Sequence, residues 1–206
     1  MRRSAPRLLL LVMALLASTS AFAESNIVSG NASPLTATAR LDFQVTIPKL
    51  LYLRVGTGTD LATNTAVNLI SFAVPAASLG NGAAVAATAA SGDLANGAVT
   101  ARVIGNNGNV TLTSTTSGAL SNGNGDTISY GQILTTATTL NSATALPAPA
   151  LADSATTTQT VAAVNNVVNR DARWTYTYRN QAVVAPGTYG GANVNNGRVT
   201  YTASMP

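Results

Sequence analysis

From Leu35 to Ile47 the chain reads LTATARLDFQVTI, a run in which every odd position is apolar and every even position polar. Leu35, Ala37, Ala39, Leu41, Phe43, Val45 and Ile47 fall on one side of an extended backbone, and Thr36, Thr38, Arg40, Asp42, Gln44 and Thr46 on the other. Strict period two suits a strand, whose successive side chains point to opposite faces, and conflicts with the period of a helix. The run therefore predicts a long, half-buried strand. Pro48 follows and lacks an amide hydrogen, so pairing is expected to end or bend there.

Shorter runs of the same kind extend along the chain. KLLYLRV, 49–55, is apolar on both faces, which predicts a strand covered on both sides or one that switches sheets. Further strands are expected at 66–74, 97–104, 109–114, 126–135, 172–179 and 197–204. VAAVNNVVN, 161–169, also reads as strand, because Val161, Val164, Val167 and Val168 are β-branched. The punctuation is Asn-Gly, at Asn81, Asn96, Asn107, Asn122, Asn124 and Asn196, and GNNGN at 105–109 suits a hairpin. Two segments fit no strand. Residues 76–97 are too broken by glycine for a long helix, and 135–163 read as a low-complexity Ala/Thr surface excursion. No solenoid repeat is visible. The expected fold is all-β: an immunoglobulin-like antiparallel sandwich of about seven to nine strands with long Ala/Thr/Gly/Asn-rich loops.

Residues 1–23 have a basic start (Arg2, Arg3, Arg7), an apolar core and the small-residue sequence AFA before Glu24. This predicts a secretory signal peptide cleaved after Ala23, an extension over 24–34 and one sandwich domain over 35–206. Export to the periplasm, cell surface or medium follows, with no transmembrane helix expected. Without Cys there is no disulfide framework and no lipidation site. Three of the eleven basic residues lie in the leader. The remainder is close to neutral, which predicts no nucleic-acid partner. Charged residues make up only 9% of the chain, so the surface is expected to consist largely of hydroxyl and amide groups, as suits a wall, fibre or matrix component.

Catalytic chemistry is hard to assemble from this alphabet. With neither His nor Cys, nucleophilic triads and the usual zinc, copper or iron sites lack their parts. No enzyme activity, cofactor or metal is expected. Asp60, Asp93, Asp126 and Asp153 sit among turn residues, where Asp bonds its own backbone. Asn122, Asn124 and Asp126 alternate as calcium ligands do, but Thr127 and Ile133 occupy positions where the helix-loop-helix calcium motif needs Gly and a carboxylate. Lys49 is read as a charge guarding an edge strand beside Pro48, the competing reading being a buried cross-linking or dyad lysine. Trp174, Tyr176 and Tyr178 form an aromatic ladder on one strand face, read as core or as a ligand platform.

LTATARLDFQVTIPKLLYLRVGTG (35–58) and VVAPGTYGGANVNNGRVTYTASMP (183–206) resemble the two ends of alpha-type chaperone-usher fimbrial subunits, and of bacterial surface immunoglobulin-like domains closing on a GTYxGxVxYT strand. Here GANVNNG separates Gly190 from Arg198, where the family passes directly into the strand. The resemblance implies a structural or adhesive subunit that self-assembles, with a periplasmic chaperone and usher as partners. It also implies a role for the opening strand, which in such proteins fills a groove in the next subunit by strand addition. Leu35, Leu41, Phe43, Val45 and Ile47 have the alternation that such a groove reads; pairing within their own domain is the alternative. Two other classes stay open: a small outer-membrane β-barrel, and a periplasmic carbohydrate-binding module in which Trp174 and Tyr176 meet a glycan.

Overall fold

The computed structural model describes residues 24–206, and the expected leader lies outside the described residues. The chain divides into a segment ending at Ile47 and a compact unit from Pro48 to Pro206. In order along the compact unit come β1 (Leu51–Val55), β2 (Val85–Ala86), β3 (Ala98–Gly105), β4 (Val110–Thr116), β5 (Leu120–Ser121) and β6 (Thr127–Ile128). β7 (Ile133–Thr138), β8 (Thr156–Val161), β9 (Val168–Tyr178) and β10 (Val199–Ser204) complete it. Helical structure among the described residues is confined to two single 3-10 turns, Ala76–Ser78 and Tyr130–Gln132.

Every strand pair is antiparallel. β9 is the axis of the larger sheet. β3 runs along one of its edges from Ala98↔Thr175 to Gly105↔Val168, and β2 continues that edge at Tyr178 and Thr177. β7 takes the other edge, and β1 adds outside β3. The smaller sheet has the order β10-β4-β8, and β5 and β6 form a separate hairpin. Neither main sheet closes on itself. They pack as an antiparallel sandwich, as expected for an all-β chain.

Alternation decides what is inside. Val99, Ala101 and Val103 of β3, Val110 and Leu112 of β4, Val161 of β8, and Val168, Ala172, Trp174 and Tyr176 of β9 form the buried core. The outward side of the smaller sheet is a block of hydroxyl residues in register, Thr200-Thr115-Thr156, Thr202-Thr113-Thr158 and Ser204-Thr111-Thr160. β-Branched Thr favours the extended backbone, and cross-strand Thr pairs such as Thr115 Oγ1···Thr156 Oγ1 (2.8 Å) stabilise the ladder without charge.

Several expectations need correction. Among the described residues Leu35–Ile47 forms no strand, and 24–47 is exposed, so the sandwich begins at Pro48 and not at Leu35. Alternation makes a segment compatible with a sheet, but it does not supply the neighbouring strand whose amides and carbonyls must pair with it. Residues 66–74 form only a single bridge, Phe72↔Ala87, because the backbone there turns to loop partners: Ser71 N–H donates to Ser91 Oγ (2.9 Å). The 126–135 strand is interrupted at Tyr130–Gln132, where Asp153 Oδ1 accepts from Tyr130 N–H (2.7 Å). VAAVNNVVN is strand only at its ends, Val161 in β8 and Val168 and Asn169 in β9, and turns between them, with Asn165 and Asn166 at φ 51° and 63° and reciprocal bonds between Val164 and Val167. Adjacent positive φ values are what a tight hairpin requires, and Asn tolerates them.

The 135–163 segment is no mere surface excursion. It contains most of β7 and all of β8, and its middle enters the core, where Leu146 and Pro149 are fully buried. Leu146 C=O accepts from Trp174 Nε1–H (2.8 Å), its N–H donates to Asp171 C=O (3.0 Å), and Ala150 C=O accepts from Ser114 Oγ (2.8 Å). This crossover seals the β7/β8 side of the sandwich.

Candidate functional site

The opposite side of the sandwich, bounded by β1 and β10, has no such seal. In β4 the inward residues Val110, Leu112, Ser114 and Thr116 are all buried. In β10 the inward residues Val199, Tyr201 and Ala203 are only half-buried, and β1 is half-buried at all five positions. Leu51, Leu53 and Val55 from β1, with Tyr201, Ala203 and Met205 from the β10 end, pack against the core without being covered.

The backbone on this side is also unfinished. Gly56 N–H donates to Thr100 C=O (2.7 Å) and Asn106 N–H to Leu50 C=O (3.3 Å). In an antiparallel pair the bonds alternate, so the even residues of β1 face β3 and Leu51, Leu53 and Val55 aim their amides and carbonyls at the free edge. The same reasoning runs through the smaller sheet. Thr116 N–H donates to Ala155 C=O (3.1 Å), which fixes the even residues of β4 towards β8 and its odd residues towards β10. Register then turns the backbone of Val199, Tyr201 and Ala203 outward. On both edges, the residues with free backbone groups are those with half-buried apolar side chains. Such an edge is a template for another strand.

Asn106 holds the start of β1, accepting from Leu50 N–H (2.7 Å) and donating to Pro48 C=O (2.8 Å). A groove of about 510 Å³ lies against β1, lined by Leu50 to Leu53 and Leu61 to Asn64. Beneath the open side, Tyr176 and Tyr201 join hydroxyl to hydroxyl (2.9 Å), and the Trp174 and Tyr201 rings sit 5.3 Å apart. Burial raises the Tyr176 hydroxyl to about 12 even though the bond to Tyr201 works the other way; burial also pushes Tyr201 well above its ordinary range. Both phenols are therefore neutral at physiological pH.

The remaining sequence candidates are placed as follows. Leu35, Leu41, Phe43, Val45 and Ile47 are all solvent-exposed, Phe43 at 87% and Val45 at 83%. An exposed Glu24–Arg40 ion pair (2.8 Å) lies in the same segment; Arg40 draws the Glu24 carboxyl downward, and solvent screens the pair. Trp174, Tyr176 and Tyr178 are buried, which makes the ladder core and leaves it no face for a sugar ring. Lys49 is exposed and donates to Pro206 C=O (3.4 Å), so it lacks the burial a cross-linking lysine needs. Asn122 Oδ1 accepts from Asn124 N–H (2.8 Å) and its Nδ2 donates to Asp126 (2.8 Å), a turn that satisfies itself.

A charged cluster on the outer face of the larger sheet had no sequence signal beyond four scattered residues. Register aligns Arg54, Arg102 and Asp171 across β1, β3 and β9, and Asp60 bridges the two arginines at 3.0 and 2.9 Å. The half-buried edge of β1 did have a signal, the apolar character of both faces of KLLYLRV.

No protein-family model, curated protein or solved structure matches the chain.

Proposed function

We propose that this chain is an exported, non-enzymatic structural or adhesive subunit, of the fimbrial type, in which strand addition joins one copy to the next. The alternating segment Leu35–Ile47 of one copy lies along the unfinished β1/β10 side of another. The observation that carries the reading is the exposure of Leu35, Leu41, Phe43, Val45 and Ile47, the large apolar side chains of an alternating segment left in water. Leaving such a face exposed is unfavourable by roughly 25 cal/mol for each Å² of apolar surface, so an occupant gains by covering it. The edges of β1 and β10 offer the chemistry that this segment lacks, free backbone groups above a row of half-covered apolar side chains. A periplasmic chaperone that shields the same edge before assembly, and an usher that receives it, fit this reading as partners.

Deleting residues 24–47 tests it. The truncated protein is expected to fold as a monomer while the intact protein forms filaments visible by electron microscopy. Filaments from the truncated protein would refute strand addition by this segment.

A further inference from the structure

We propose that Asn124 is a site of spontaneous deamidation, singled out from six Asn-Gly pairs by hydrogen bonding in the fold. The backbone nitrogen of Gly125, after losing its proton, attacks Asn124 Cγ. A new N–Cγ bond forms, the Cγ–Nδ2 bond breaks, and the amide leaves as ammonia once it takes up a proton. Water then opens the resulting succinimide, giving aspartate or its isomer with the backbone routed through the side chain. Water is the only co-reactant, and the product carries one additional negative charge.

Glycine favours this chemistry wherever it follows Asn, because no Cβ obstructs the approach. In five of the pairs, however, the attacking nitrogen is already committed. Gly82 N–H donates to Asn180 C=O (2.8 Å), Gly97 to Ser91 C=O (2.9 Å), Gly108 to Asn166 C=O (2.9 Å) and Gly197 to Val194 C=O (2.8 Å). Gly123 N–H donates to Ser121 Oγ (2.9 Å). Four of those five asparagines are tied as well: Asn81 Oδ1 accepts from Ala83 N–H (2.9 Å), and Asn107, Asn122 and Asn196 donate their amides to Pro206, Asp126 and Ala119. Asn96 has a free side chain, but its glycine is bonded and buried. Asn124 and Gly125 are both exposed, and among the described residues neither the Asn124 amide group nor the Gly125 N–H has a hydrogen-bond partner. Nothing must be broken before the ring closes.

The position carries consequences. The new carboxylate lies two residues from Asp126, in the turn that links β5 and β6. Ser121 of that hairpin is bonded both ways to the chain leading to β10, donating to Asn195 C=O (3.0 Å) and accepting from Gly190 N–H (2.9 Å). Like-charge repulsion and a lengthened backbone therefore act on the approach to β10.

Peptide mapping by mass spectrometry, after incubation of the full chain in mildly alkaline buffer, tests the proposal. Releasing one bonded N–H is worth about a factor of ten, so Asn124 is expected to deamidate about tenfold faster than any other pair in the folded protein. In denaturant the six rates should converge, and Asn124→Gln should remove the fast product while the other five are unchanged. Equal rates in the folded state, or a faster reaction at Asn96, would overturn the assignment.

Discussion

Asp171 is 2% exposed and lies on the outer face of the central strand. Burial alone would hinder ionisation of its carboxyl. Opposing this, Ser142 donates through its N–H and hydroxyl (2.9 and 2.7 Å), Asn141 through its side chain and N–H (2.8 and 2.9 Å), and Arg102 lies 3.2 Å away. The Ser142 and Asn141 bonds outweigh burial and hold the carboxyl well below the usual carboxylate range. A depressed folded-state pKa means that the stability contributed by Asp171 is present above the unfolded value, about 3.9, and is lost as pH falls towards the folded value. Asp171→Asn replaces an acceptor with a donor facing other donors. It is expected to cost about 2–4 kcal/mol at neutral pH. Urea midpoints measured from neutral to acid pH check both points: the wild type should lose stability on acidification more steeply than the variant. Parallel curves would show that the acid sensitivity lies elsewhere.

At the scale of the element, the crossover from β7 to β8 acts as a wall of the core, because Leu146 is fully buried beside Trp174. Leu146→Ala should lower the free energy of unfolding by about 2–5 kcal/mol, the range for a buried leucine truncated in a packed site. Leu151, only half-buried, provides the comparison and should cost less on the same denaturant curve. That wall also shows where sequence reading fails. β3, β4, β9 and β10 were legible to within a few residues because apolar and polar residues alternate over much of each and most are bounded by Asn-Gly or Gly-rich turns. The Ala/Thr monotony of 135–163 hid the same alternation, since Thr and Ala mark inside from outside far more weakly than Leu and Asp do. Four valines obscured the Asn165-Asn166 turn. In Leu35–Ile47 the period of two is plain in the sequence and the partner is left open, because a strand's neighbour is a property of topology. Of the open edge of β1, the sequence shows only the apolar character of both faces of KLLYLRV. The inward face of β10 was visible in its Val199, Tyr201, Ala203 pattern.

For the whole molecule, one side of the sandwich is sealed by its own chain and the other is open, and the distance across the open side decides how a guest strand fits. β1 and β10 approach within 8 Å between Cα atoms. A strand bonded to both would hold them about 9.6 Å apart, twice the inter-strand spacing. A guest therefore either spreads the two edges by about 1.5 Å or more, or pairs with one of them. Hydrogen exchange on the Pro48–Pro206 unit, with and without a peptide of residues 35–47, separates these outcomes. The outward amides of Leu51, Leu53, Val55, Tyr201 and Ala203 should exchange quickly alone, whereas those of Tyr52, Arg54 and Thr202, already bonded within the sheets, should be slow throughout. Full insertion is expected to protect the outward amides of both strands together, and pairing at one edge would protect only one set. Replacing Phe43 and Val45 of the peptide by Asp should abolish the effect, because charged side chains cannot occupy the half-covered apolar row. Protection confined to β7 or β8, or unchanged by the Asp replacements, would place the binding surface away from the open side.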